Sequence, residues 1–248
     1  MPANSTFLNN RSLLGCQRLL QGLLETYRSD FPKYATRAQH RHLQVFFEKA
    51  PGLVGRHFKY VHVDPEIRSR ELKVSLDLLE ASGLMHRVCA TSASGLPLQA
   101  QMKEKWFKLL FLDIGLLNCA NKLDLPLAAD GTFVPLTWGA QMEQFVGQEL
   151  MAYSDPFSAT RLFYWEREKP GSQAEIDYLI QVGSHILPIE VKAGTTGRLQ
   201  SMNQFLREKG STFGIRISAH PLSYHDKILS IPFYLIEQMP HLALSLIR

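Results

Sequence analysis

The nineteen residues from Ala174 to Lys192, AEIDYLIQVGSHILPIEVK, constrain the fold more than any other stretch. Two strand-like runs flank a turn signal at Gly183-Ser184, the pattern of a β-hairpin. The second run, Ile186 to Val191, is apolar enough to be a core strand. Glu190 and Lys192 are two positions apart, so on a strand their side chains share one face. Asp177 lies in the first run, and a hairpin can bring all three together. Two carboxylates can hold a divalent cation, and a nearby amine can steady a phosphate or an attacking water. That pattern is expected of metal-dependent phosphodiester hydrolysis. The same residues also suit a structural ion pair, with Lys192 neutralising Asp177 and Glu190.

The flanking segments extend the hairpin into an α/β domain. A helix from about Gly139 to Tyr153 turns Phe145, Val146 and Leu150 inward. It offers Glu143 and Glu149, which six positions set on different sides, so one at most reaches a shared site. The reading takes Glu149 as the catalytic carboxylate and Glu143 as the alternative metal ligand. A strand at Leu162 to Trp165 and a polar turn at Arg167 to Gln173 lead into the hairpin. Beyond it come a helix at Leu199 to Lys209 and strands at Phe213 to Ile217, Ile228 to Ser230 and Pro232 to Ile236. This order describes a mixed central sheet. Gly194-Thr195-Thr196-Gly197-Arg198 lacks the Gly-Lys-Ser/Thr ending of a P-loop, and no other segment supplies one, so no ATP site is expected.

The first half reads as helices. They are expected at Leu13 to Tyr27, at Arg37 to Lys49, and from Pro65 to Gly83 with Asp64 as N-cap. A further short helix fits Leu53 to Tyr60. Strands at Met85 to Ala90 and Phe107 to Leu112 would then form the two-stranded wing of a winged helix. In that arrangement Arg68, Arg70 and Lys73 face duplex DNA from the third helix, although a solvated face or a protein-docking module uses the same residues. The expected division is a helical, winged-helix-like domain over 1–120, a linker over 121–135 and the α/β domain over 136–248.

Charge and cysteines narrow the class. The net charge is +4; up to Ala128 there are 17 Lys/Arg against 11 Asp/Glu, and beyond it 10 against 12. A basic first half is compatible with nucleic acid. Cys16, Cys89 and Cys119 are odd in number and widely spaced, which fits reduced thiols rather than a zinc motif. His40 and His42 cannot share one face of a helix, so they do not form a metal cluster with His57 and His62. No apolar run approaches membrane-spanning length, and a cytoplasmic protein is expected.

Six segments in order carry a resemblance to a known group. They are DFPKYA at Asp30 to Ala35, FKLLFLDIGLLN at Phe107 to Asn118, MEQFVGQEL at Met142 to Leu150, FYWERE at Phe163 to Glu168, QAEIDYLI at Gln173 to Ile180 and PIEVKAG at Pro188 to Gly194. Together they resemble the region that follows the ATPase module in bacterial AAA-family proteins of largely unassigned function. The C-terminal half of that region is similar to PD-(D/E)xK, restriction-endonuclease-like domains. The resemblance implies that Asp177, Glu190 and Lys192 are the Asp and Glu-x-Lys of that pattern. It also implies that Glu143 or Glu149 is the helix carboxylate, and that Mg²⁺ or Mn²⁺ is the cofactor. An AAA ATPase module is the implied partner, and a recognition or regulatory half of such an ATPase is the alternative role.

Overall fold

A computed structural model describes residues 2–123, 138–155, 157, 160–169, 171, 173–194 and 198–247. The expected linker at 121–135 lies largely outside the described residues, and so does Thr195-Thr196-Gly197 of the glycine-containing loop. The chain divides into two compact units. One comprises Met1–His86 with Leu109–Leu136, the other Arg87–Lys108 with Thr137–Arg248.

The first unit is helical. α1 (Pro2–Asn10) precedes α2 (Leu13–Asp30), whose start is set by Ser12 Oγ accepting from Gly15 N at 3.0 Å. α3 (Arg37–Lys49) opens with a capping box in which Thr36 and Gln39 satisfy each other's backbone N–H groups. It packs against α4 (Ser69–Ala81), where Leu72, Leu76 and Leu79 form the buried stripe that their spacing predicts. α4 begins four residues after the expected start at Pro65. Asp64 closes a local turn on Glu66 N at 2.8 Å instead of capping a helix, and Arg68 becomes the N-cap. α5 (Ile114–Ala120), capped by Asp113 on Leu116 N, packs on α2.

The second unit is built on an eight-stranded sheet. Its strands are β1 (Met85–Thr91), β2 (Met102–Phe111), β3 (Leu162–Glu166), β4 (Glu175–Val182), β5 (His185–Val191), β6 (Gly214–Ser218), β7 (Ser223–His225) and β8 (Ile228–Pro232). The spatial order is β2-β1-β3-β4-β5-β6-β8-β7. β1 runs parallel to β3, with Val88 opposite Leu162. β4 runs antiparallel to both β3 and β5, β5, β6 and β8 are parallel, and β7 is an antiparallel edge. The fold is therefore α/β, helical in its N-terminal region and mixed-sheet in its C-terminal region.

β1 and β2 correct the expected wing. They extend the sheet instead of forming a separate hairpin on the helices, because β1 finds a parallel partner more than seventy residues away. Two smaller corrections concern the end of the chain. Pro232 to Ile236 is not a strand: Phe233–Gln238 forms a 3₁₀ turn leading into α8 (Met239–Ile247). The three-residue β7 is too short to leave a periodic signal.

α6 (Trp138–Ala152) packs on β3 and β5, and α7 (Gln200–Lys209) on β4 and β5. Trp165 of β3 meets Phe205 of α7 edge-to-face, with ring centroids 5.1 Å apart. Gly214 of β6 lies directly under Met202 of α7, so a Cβ there would overlap the thioether. Gly214→Ala should destabilise the protein by about 1–3 kcal/mol through overpacking, a loss that chemical denaturation measures. An unchanged midpoint would mean that Met202 moves aside without cost.

Candidate functional site

The hairpin forms as its turn residues require. β4 and β5 pair from Tyr178↔Ile189 to Val182↔His185, which leaves Gly183-Ser184 as a two-residue loop. Gly183 takes a φ of +59°, where a side chain is strained. Extending this register by one step sets Asp177 opposite Glu190. Asp177 Oδ2 accepts the Val191 N–H at 2.7 Å, so its carboxylate is anchored on the backbone between Glu190 and Lys192.

Glu190 is 4% exposed. Its Oε1 lies 2.6 Å from Lys192 Nζ. Its Oε2 is buried with no hydrogen-bond partner among the described residues. A buried carboxylate oxygen in that condition carries a desolvation penalty that a cation or a proton would remove.

α6 supplies the third carboxylate. Its backbone is fixed beside the hairpin by the Tyr178 hydroxyl, which donates to Glu143 O at 2.8 Å. The Glu143 carboxylate is 3.6 Å from the buried ammonium of Lys108 on β2. Lys108 is also ion-paired with Glu175 on β4 and lies 5.3 Å from the centre of the Tyr164 ring. Glu175 stands opposite Glu166 across β3 and β4, with one oxygen of each within 4.8 Å, a spacing that one cation can bridge.

Four carboxylates, Glu143, Glu175, Asp177 and Glu190, thus face two ammonium groups, Lys108 and Lys192. The excess negative charge registers in their proton affinities. Burial and the Glu143 carboxylate push Asp177 up to about 8, although Lys108 and the Val191 N–H pull the other way. Burial raises Glu143 too; Lys108 opposes the rise and Glu175 adds to it. Burial alone would lower Lys108, but Glu143, Glu175 and Asp177 outweigh it and hold the ammonium above its usual range.

The expected site residues are only partly brought together. Asp177, Glu190, Lys192 and Glu143 form one neighbourhood, with the field of Lys192 reaching Glu143. Glu143, Asp177 and Glu190 do not place one oxygen each within 4.8 Å of one another. Glu149, the expected catalytic carboxylate, is directed elsewhere. It accepts from the Tyr153 hydroxyl, which with burial pushes that phenol up to about 12, and it meets Gln148 at 3.3 Å. Lys108 and Glu175 went unrecognised in the sequence. Arg68, Arg70 and Lys73 are exposed at the start of α4. No described helix is long and apolar enough to cross a membrane.

Two family models match the chain. One, described as a domain of unknown function (DUF8612), covers residues 1–127, just over half of the chain. The chain belongs to the DUF8612 family. The second, also described as a domain of unknown function (DUF4143), covers residues 138–234. No curated protein and no solved structure matches the chain. In this DUF8612 member, Glu143, Glu175, Asp177, Glu190 and Lys192 fall in the segment matched by DUF4143, whereas Lys108 comes from the segment matched by DUF8612.

A pH dependence follows with a definite sign. Folded Asp177 keeps its proton up to about pH 8, whereas the unfolded residue loses it near pH 4. Folding therefore takes up a proton between those values, and its contribution to stability falls as pH rises through that window. Thermal melts in chelator from pH 4 to 8 should show this decline, and Asp177→Asn should flatten it. Lys108→Met should cost about 3–5 kcal/mol, because it strands Glu143 and Glu175 beside each other; equilibrium unfolding of the variant measures the loss.

Proposed function

We propose that the C-terminal unit is a phosphodiester hydrolase that works with Mg²⁺ or Mn²⁺. The observation that carries the reading is the excess of carboxylates at the β4–β5 hairpin, where Asp177 and Glu143 resist ionising and Glu190 keeps a buried oxygen without a partner among the described residues. A divalent cation is the ligand that such a set of oxygens suits. Asp177 and Glu190 would hold it, and Glu143 from α6, which does not meet the 4.8 Å spacing with both of them, would complete the set through a water. When bound, the cation would supply Lewis-acid polarisation of the phosphate and a more acidic water. Lys192, partly exposed beside Glu190, would steady negative charge on the phosphate or orient the attacking water. Lys108 would keep Glu143 and Glu175 apart and neutralised, a positioning role rather than a chemical one. This is the arrangement that the resemblance to PD-(D/E)xK domains leads one to expect.

The rival reading is a recognition or regulatory module of an AAA ATPase in which the same groups serve only structure. The close Lys192–Glu190 and Lys108–Glu175 pairs favour it. The two readings differ in their response to metal. Under the hydrolase reading, Mn²⁺ at a hundredfold excess over Kd stabilises the wild type by about 2.7 kcal/mol. Glu190→Gln then abolishes that gain without unfolding the protein, and only the wild type nicks supercoiled plasmid DNA in Mn²⁺. The hydrolase reading fails if the wild-type melt ignores Mn²⁺ and Glu190→Gln is severely destabilised.

A further inference from the structure

β2 runs along one edge of the sheet and ends in the site. Its sequence, MKEKWFKLLF, carries three lysines against one glutamate. Phe107 and the residues after it are buried, but Glu104, Lys105 and Trp106 are exposed. Trp106 is 55% exposed, an unusual placement for an indole on a strand. Strand alternation puts Trp106 on the same side as Lys108, about 7 Å away. Lys108 is the ammonium between Glu143 and Glu175. A half-exposed aromatic side chain therefore lies one side-chain spacing from the carboxylate cluster, on the face of β2 that also carries Glu104.

Resting on the hydrolase reading, we infer that β2 is a binding track for an unpaired nucleic-acid strand, with Trp106 stacking on a base beside the phosphate held at the hairpin. A half-exposed indole suits a base that has left its duplex, because a stacked and paired base offers no free face. Lys105 is exposed on the same segment but lies on the opposite face from Trp106, so it adds little to this track. Lys103 is ion-paired with Glu168 and contributes less, and Glu104 opposes the strand rather than attracting it. The balance favours a ligand held by stacking, with modest electrostatic help. A duplex held by phosphate contacts alone would need more free cations than β2 offers.

The test is fluorescence anisotropy of a labelled oligothymidylate and of its duplex with oligoadenylate, in EDTA so that nothing is cleaved. The single strand should bind more tightly than the duplex. Trp106→Ala should weaken it about tenfold or more, with Trp106→Phe in between. Trp106→Lys separates the two forces, since stacking predicts weaker binding and pure electrostatics predicts tighter. Equal binding of both forms overturns the inference, as does an unchanged affinity in Trp106→Ala with an unchanged melting temperature. If wild-type protein shows Trp106-dependent single-strand binding but never nicks DNA in Mn²⁺, the track stands and the hydrolase reading falls. If it nicks DNA with no dependence on Trp106, the hydrolase reading stands and the track falls.

Discussion

The ammonium of Lys108 holds the charged centre of the sheet unit together. It is almost fully buried, yet its charge is retained, because Glu143, Glu175 and Asp177 surround it closely enough to outweigh the cost of burial. Without it, the carboxylates from α6 and β4 would repel one another in a poorly solvated setting. With it, one part of the cluster is neutralised, while Asp177 resists ionising and one buried oxygen of Glu190 has no hydrogen-bond partner among the described residues. A purely structural network would match its charges and satisfy its oxygens. This one stops short at Asp177 and Glu190, the pair that extends the hairpin register beyond Tyr178 and Ile189.

Local elements were legible in the sequence where their signals were local. The 3.6-residue spacing of Leu72, Leu76 and Leu79, and the Thr36 cap before Arg37, specify α4 and α3 through contacts within a few residues. The β4–β5 hairpin was equally legible, because a glycine with positive φ and two apolar runs suffice to define it. What failed was partnership across distance. Met85 to Thr91 reads as a strand, but nothing in its sequence says that it pairs parallel to Leu162–Glu166 rather than closing a wing with β2 alone. The start of α4 failed for a different reason. Asp64 can cap a helix or close an Asx turn, and local composition does not decide between them.

The site divides along the same line. Asp177, Glu190 and Lys192 are legible because the hairpin that unites them is contiguous. The choice between Glu143 and Glu149 is a question of helix rotation. Six positions at about 100° each turn one away from the other, so the helix shows that one faces the site but not which. The Tyr178 hydroxyl on the Glu143 carbonyl decides it, and that contact spans 35 residues. Lys108 and Glu175 had only weak signals. A lysine inside the apolar run WFKLLF is a buried charge and hence an object of suspicion, but its partner lies 67 residues on.

Edge strands are a hazard, since their unpaired backbone groups recruit other strands, and charged residues are the usual defence. Lys103, Glu104 and Lys105 at the outer part of β2 serve that end without further explanation. Trp106 does not, because an exposed indole adds apolar area where an edge needs charge. Single exposed apolar side chains are ordinary on protein surfaces, so the meaning of Trp106 comes from its position and not from its exposure alone. The buried charged centre that β2 enters, among the described residues, is the one where Lys108 meets Glu143 and Glu175. The buried half of the strand thus completes the charge arrangement, while its exposed half offers an aromatic face beside it. Both features would lose their reason if β2 were merely the border of the sheet.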